Sequence, residues 1–503
     1  MLLGFRTCRG LLLHEDLQDR GSRIIRQASC ATDTAGLLNA SCLPLITSTT
    51  PVMESLPVEL LHKIFEPVCS PTGSLLDELP DEDAARLVAA PCTLAAVCRD
   101  WRDICMRTPQ IWSFIHLNRK STAADLPYIH RQLERSADVS IDFVLTAVDE
   151  VVFQEHLQLL ATHARRWRRA TITFTAEIPS EVCALFQQPM PRLEQLRLLS
   201  HDGVQSDLLD NSWDPESSKK YLKMTSRLDH LESHIMIIVP SMQWRSLRFL
   251  NYSLRHSVIE PLWVTLTQTP ALEELNIFFT RWMSRRRNSQ PLTTPLDLPM
   301  LQRLGVFGFL DPSAWPELLR APRLETLTVS LESCNHLGAL FRAPAVQQQV
   351  RHLTITTIER HDGGFLNRPD AEAMGDLQRL ETLELRGLGR GVLMERDQTF
   401  FSYLAGEDGD AAPAWASRLQ YLVLRKCQFY LDSCNSLGRY LRLRIDGATG
   451  HNVPRFDFEF VNTEFITEGE QDLDINDINS AIGSLFAGHT VSPVEVNSFV
   501  TFN

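Results

Sequence analysis

The chain lacks several features whose absence narrows its chemistry. None of its apolar runs approaches the ~18–20 residues that a helix needs to cross a bilayer. It has no Cys-x-x-Cys pair, and its 11 cysteines are odd in number and scattered. That argues against a zinc site and against a secreted disulfide framework. It favours free, mostly buried thiols in a reducing compartment, cytoplasm or nucleus. Positive charge is not in excess: 49 Lys and Arg stand against 62 Asp and Glu, a formal net charge of −13. Phosphate binding needs a basic surface, so this balance speaks against nucleic acid as a partner. His-Glu-x-x-His and Gly-x-Ser-x-Gly are both missing, and the 15 histidines show no metal-ligand spacing. The sequence therefore supports no catalytic residue, no cofactor and no metal.

What is present is a chain of 503 residues, 44% hydrophobic and 22% charged, which is globular in composition and too long for one small domain. Residues 1–50 read as a poorly ordered leader. They end in the small, polar "NASCLPLITSTTP". Their start has no continuous signal-peptide core, and Glu15, Asp16 and Asp19 count against a transit peptide.

Order is expected from "ESLPVELLHKIFEPV". Pro57 suits a first helical turn, and Leu60, Leu61, Ile64, Phe65 and Val68 recur at helical spacing. The stretch from Cys69 to Pro91 has three prolines and an acidic cluster, Asp77 to Asp83, and reads as a loop with a helical piece. A second helix, "TLAAVCRDWRDICMR", carries the stripe Leu94, Val97, Cys98, Trp101, Ile104 and Cys105. Thr108 and Pro109 then open a third, short helix with Ile111 and Trp112. On periodicity alone these stripes are the core of a plain helical hairpin.

Further on, "LPYIHRQLERSADVSIDFVL" predicts a helix and then a strand of period two. Val139, Ile141, Phe143 and Leu145 alternate with Ser140, Asp142 and Val144. "FQEHLQLLATHARRWRRATITF" repeats the idea, with Trp167 inside and the neighbouring arginines on a solvated helix end.

A repeat follows: Pro, then apolar-x-x-apolar-x-apolar. It stands at Leu193/Leu196/Leu198, Leu272/Leu275/Ile277, Leu301/Leu304/Val306 and Leu324/Leu327/Val329. Looser copies are "WRSLRFLNY", "QQVRHLTI", "LQRLETLEL" and "ASRLQYLVL". Each unit has room for one strand and one helix, with the proline ending the preceding helix. A single unit cannot bury its own apolar face, so neighbours must stack. The expectation is an irregular α/β solenoid with a curved parallel sheet and long loops at about 202–225, 281–298 and 405–417. The stretch after Arg455 alternates apolar and acidic residues, then turns acidic, as a strand cap or solvated tail would.

Three smaller signals carry little. "SRRRNSQP" at 284–291 reads as a flexible charged loop and "RGLGRGV" as a turn. "DLDINDIN" begins like a calcium loop. It has Asp477 where glycine is needed and Gly483 where glutamate is needed.

The pairing of "LPVELLHKIF" with "VCRDWRDI" and "TPQIWSFIHL" is more specific than its parts. In Leu56-Pro57, Leu60, Ile64-Phe65, Val97-Cys98 and Trp101-Arg102 the sequence resembles the F-box family, in the form common among fungal proteins. "QLERSADVSIDFVL", "HARRWRRATITF" and "MPRLEQLRL" look like the region that follows the F-box in such proteins. The insert between Cys69 and Pro91 is longer than in a compact F-box. The resemblance implies an F-box-like helical domain over 51–117 and, with the repeat, a leucine-rich-repeat-like solenoid over 118–460; the acidic tail or cap over 461–503 rests on composition alone. It implies docking on a Skp-type adaptor, and through it a cullin, by Leu56, Pro57, Leu60, Ile64, Val97, Cys98 and Trp101. Trp112 would extend that surface or fill the junction to the solenoid. The implied role is substrate recognition for a ubiquitin ligase, with a protein target on the solenoid. The alternative is an F-box scaffold that works outside ubiquitination.

Overall fold

The computed structural model describes residues 57–70, 81–146, 149–174, 188–200, 227–233, 244–254, 260–279, 294–308, 315–330, 337–356, 368–387, 398–406, 413–430, 434–448, 456–461 and 464–466. The leader, Leu56, most of the expected long loops, the arginine run at 284–291, the "DLDINDIN" segment and the acidic tail after Ile466 lie outside them. The chain divides into two units. One comprises Met1–Leu193 with Arg197–Trp213, and the other Glu194–Leu196 with Asp214–Asn503.

The first unit begins with three helices, α1 (Val58–Cys69), α2 (Asp81–Val97) and α3 (Arg99–Arg107), and a 3-10 turn, Pro109–Trp112. Two expectations need correction here. The second helix does not begin at Thr93: α2 starts at Asp81 and runs through Pro91, so the helical piece expected in this stretch is continuous with it. Ala84, Leu87, Val88, Pro91, Leu94 and Ala95 keep helical spacing and are buried or half-buried, and burial of that face outweighs the proline's missing N–H. Nor is 93–107 one helix. The chain breaks at Cys98, which is extended (φ −155°, ψ 175°), and the Cys98 Sγ accepts the Trp101 N–H at 3.4 Å to cap α3.

Thirteen strands follow: β1 (Phe114–Leu117), β2 (Ile141–Thr146), β3 (Trp167–Phe174), β4 (Gln195–Ser200), β5 (His230–Ser233), β6 (Phe249–Leu254), β7 (Glu274–Phe279), β8 (Arg303–Gly308), β9 (Thr326–Ser330), β10 (His352–Thr356), β11 (Thr382–Arg386), β12 (Tyr421–Arg425) and β13 (Asp457–Val461). They form one parallel sheet whose hydrogen-bonded order is the order of the chain. Helices are interleaved: α4 (Leu126–Arg135) and α5 (Glu150–Ala161) in the first unit, and α6 (Glu260–Leu266), α7 (Trp315–Leu318), α8 (Leu337–Arg342), α9 (Pro344–Gln349), α10 (Arg368–Met374), α11 (Gln398–Ala405), α12 (Ala414–Arg418) and α13 (Cys434–Ala448) in the second. The result is the expected helical module followed by a repeat-like α/β array.

All eight copies of the sequence repeat end in a strand of this sheet. In register, Leu250, Leu275, Leu304, Leu327, Leu353, Leu383 and Leu422 make one buried row, each at most 2% exposed. The proline's role differs from the expectation. In four copies the residue before proline accepts the N–H of the leucine three positions on: Met190–Leu193, Thr269–Leu272, Leu298–Leu301 and Ala321–Leu324, at 3.1–3.2 Å. Proline is thus the second residue of a β-turn that feeds the strand, where its fixed φ is already right. Strand β5 was not legible as a repeat copy. Within the loop expected at 281–298, Leu296–Asp297 pairs with Leu319–Arg320, and helix α12 occupies part of the one expected at 405–417.

Candidate functional site

The N-terminal helices form a small core of Leu61, Phe65, Cys69, Ile104, Cys105, Ile111 and Trp112, with Ala90, Leu94, Ala95 and Trp101 packed against it. Burial pushes the Cys69 thiol up to about 12 and that of Cys105 to about 11, so both stay protonated and inert at neutral pH. Phe65 and Trp101 meet edge to face, ring centres 4.9 Å apart. Trp112 is 1% exposed and donates its Nε1–H to the Cys105 carbonyl at 2.9 Å. Arg135 stacks over its ring at 4.5 Å. Thr108 does not cap the turn after it with its side chain. Its hydroxyl donates back to the Ile104 carbonyl at 2.7 Å.

The expected docking residues therefore divide. Trp112 is a core residue and offers no surface, because its indole and its N–H are both consumed inside the module. Trp101 is half-buried against Phe65. Pro57, Leu60, Ile64, Val97 and Cys98 are exposed, Leu60 at 45%, Ile64 at 44% and Val97 at 59%. Leu56 lies outside the described residues. On α1 the division follows geometry. Pro57, Leu60, Ile64 and Pro67 recur every three or four residues and share one outward face, while Leu61, Phe65 and Cys69 share the inward one. The break at Cys98 has a matching effect. It leaves Val97 and Cys98 facing water at the α2–α3 corner while Ile104 and Cys105 remain inside.

Two exposed apolar residues escaped the sequence reading, Val58 at 50% and Met106 at 50%. Val58 starts α1 and Met106 is in the last turn of α3, so each sits where a stripe runs out. Val58 stands three residues before Leu61, at helical spacing, whereas Met106 stands two after Ile104, off that stripe.

A second feature of the first unit is a cavity of about 510 Å³ between α2, β1 and α4, lined by residues including Val88, Cys92, His116, Tyr128 and Gln132. Tyr128 donates to the Val88 carbonyl at 3.2 Å and Gln132 to the Phe114 carbonyl at 2.5 Å, so its polar lining includes bonds that tie the walls together.

Residues 53–118 match the protein-family model described as F-box-like. No curated protein matches the chain. Among the described residues, no helix is long and apolar enough to cross a membrane, and no group of three or more His, Cys, Asp or Glu could hold a metal ion.

Proposed function

We propose that this chain is a substrate-recognition subunit of a Skp–cullin–F-box ubiquitin ligase, of the kind common among fungal F-box proteins. The F-box-like module docks on a Skp-type adaptor, and through it a cullin. The repeat array holds a protein target. The chemistry is done elsewhere in the complex: holding a target lysine near the ubiquitin donor raises its effective concentration without a catalytic group in this chain.

The observation that carries the reading is the exposed row Pro57, Leu60 and Ile64, beside Val97 and Cys98, on the segment that matches the F-box-like model. Burying one such aliphatic side chain stabilises a complex by about 1.5–3 kcal/mol. Trp112 and Trp101 act behind this row, as the packing that holds α1 and α3 in place.

The test is co-purification of the chain with its host's Skp-type adaptor, beside a Leu60→Ala, Ile64→Ala double variant. Both residues are about half exposed, so the variant keeps its fold, with stability changed by less than about 1 kcal/mol. Stoichiometric capture by the wild type, weakened at least about 100-fold in the variant, supports the reading. Capture unaffected by the variant, or no capture by the folded wild type, rejects it. Adaptor capture without cullin recruitment would favour a scaffold outside ubiquitination.

A further inference from the structure

The second unit has a sheet face that the leucine rows do not use. Strand alternation puts Asn276, Phe278, Gly305, Phe307, Thr356, Glu384, Arg386 and Arg425 on it. At the carboxyl ends of the strands the register runs Phe278 beside Phe307, then Ser330, Thr356, Arg386 and Arg425. This row holds two arginines and no carboxylate.

At one end of the row Phe278 and Phe307 stack, ring centres 4.4 Å apart and 11° from parallel. Both are partly exposed. Phe307 can lie there because position 305 has no side chain: a Cβ on Gly305 would stand 2.6 Å from the ring and 2.1 Å from the Asn276 amide oxygen.

At the other end Arg386 and Arg425 share one carboxylate. Arg386 grips Glu384 through Nε at 2.7 Å and Nη2 at 2.8 Å, and Arg425 donates Nε to the same Oε1 at 2.8 Å. Both guanidinium groups remain over a third exposed, and Glu384 only 13%. Within the row the two cations share this one anion, and the next carboxylate on the same face, Glu459 of β13, accepts the Tyr421 hydroxyl at 2.9 Å. Among the described residues the contact of Arg425 with Glu384 runs through Nε, which fixes the orientation of a guanidinium that is 38% exposed. A second oxyanion would complete the group, and guanidinium geometry suits a carboxylate.

We propose that this row is the target-binding site, and that its occupant is an extended, acidic protein segment. It places an aromatic or large aliphatic side chain on Phe278–Phe307 and a Glu or Asp carboxylate on Arg425 and Arg386. This inference rests on the target-recognition role proposed above and names the chemistry of the target. Three strand spacings separate Phe307 from Arg386, about 14 Å. An extended chain advances about 3.3–3.6 Å per residue. The two anchors are therefore about four residues apart, with Thr356 beneath the residues between them. The chain's net charge of −13 opposes an acidic partner at long range. At 0.15 M salt the screening length is about 8 Å, so the local arginine pair decides.

The experiment uses the full-length chain and a synthetic peptide array. The peptides fix one Phe and one Glu at every separation from one to eight residues, with Ser and Ala elsewhere. Matched sets carry Gln or phosphoserine in place of Glu, or Ala in place of Phe. The expected result is strongest binding at a separation near four, lost with Gln or with Ala.

Two variants act in opposite directions. Arg425→Gln weakens binding of the Glu peptides by about tenfold, the effect of one charge-assisted hydrogen bond. Glu384→Gln strengthens it, because both guanidinium groups are then released. A merely structural cluster would not give opposite signs. Far-ultraviolet circular dichroism confirms that each chain is folded. If Arg425→Gln fails that check, Glu384→Gln alone still decides by the sign of its effect.

The proposal is overturned by equal binding of Gln and Glu peptides, by preference for phosphoserine over Glu, by no binding, or by weaker binding in Glu384→Gln. Adaptor capture is measured separately on the same preparations. Its failure would sink the ligase role and leave the peptide preference standing.

Discussion

Asp142 shows what a single residue's position in a pattern does and does not say. The period of two in β2 assigns it to the outer face, yet it is 2% exposed. The strand lies inside a parallel sheet and is covered on both sides, so its alternation does not mark water. The buried carboxylate is met by Arg168, at 2.6 and 2.9 Å, and by Arg169. Arg166 of the same run is also buried, and donates to the Val139 and Leu133 carbonyls and to the Ser136 hydroxyl. Arg166, Arg168 and Arg169 are thus structural wiring, where the sequence suggested solvated charge, and Arg165 alone of the run is exposed. Asp142→Ala leaves two guanidinium groups without their counter-ion. The expected loss is toward the lower end of about 3–5 kcal/mol, because Arg168 can reach water. Arg168→Ala costs less, about 1 kcal/mol or below. Urea unfolding of the two variants checks the order, and an equal loss would remove Asp142 from its central place.

At the scale of elements, the repeat was legible because its apolar spacing is the burial pattern itself. Leu324, Leu327 and Val329 are predicted inside and are each at most 1% exposed. What the spacing cannot carry is backbone geometry. Pro322 marks a boundary in either reading, and only the Ala321–Leu324 hydrogen bond identifies a β-turn in place of a helix stop. The helical module follows the same rule. Spacing reads Leu60, Leu61, Ile64 and Phe65 as one apolar face and does not tell which of them the neighbouring helices cover, so Leu60 and Leu61 look alike in sequence and yet are 45% and 4% exposed. The break at Cys98 was hidden because Val97 and Trp101 keep helical spacing across it. If Pro322 only pre-sets a turn, Pro322→Ala lowers stability by about 0.4–1 kcal/mol, mostly through the unfolded chain. Leu324→Ala costs about 2–5 kcal/mol. Denaturation midpoints of the pair separate the roles, and a proline loss as large as the leucine's would contradict them.

For the whole molecule, acid is the expected weakness. His156 is 1% exposed, and its burial outweighs the pull of Asp125, Glu155 and the Thr122 backbone, so its pKa is held below the ordinary 6.5. His163 is lowered too, by burial and then by Arg166 and His130. Below 6.5 the unfolded chain takes up protons that the folded chain refuses. The contribution to stability is full above pH 6.5 and falls as pH drops toward the depressed folded values. Thermal midpoints between pH 7.5 and 5 should decline, and His156→Leu should flatten the decline; an unchanged slope would clear this residue. The strand order has a kinetic consequence as well. From β6 to β12, each strand of the large sheet bonds to the sheet strands just before and after it, so this array behaves as a one-dimensional series of neighbours. Order can then start at any adjacent pair and spread both ways, and a lesion in β8 would halt that spread. It would leave separately melting stretches on either side, and a broadened transition in place of one cooperative collapse.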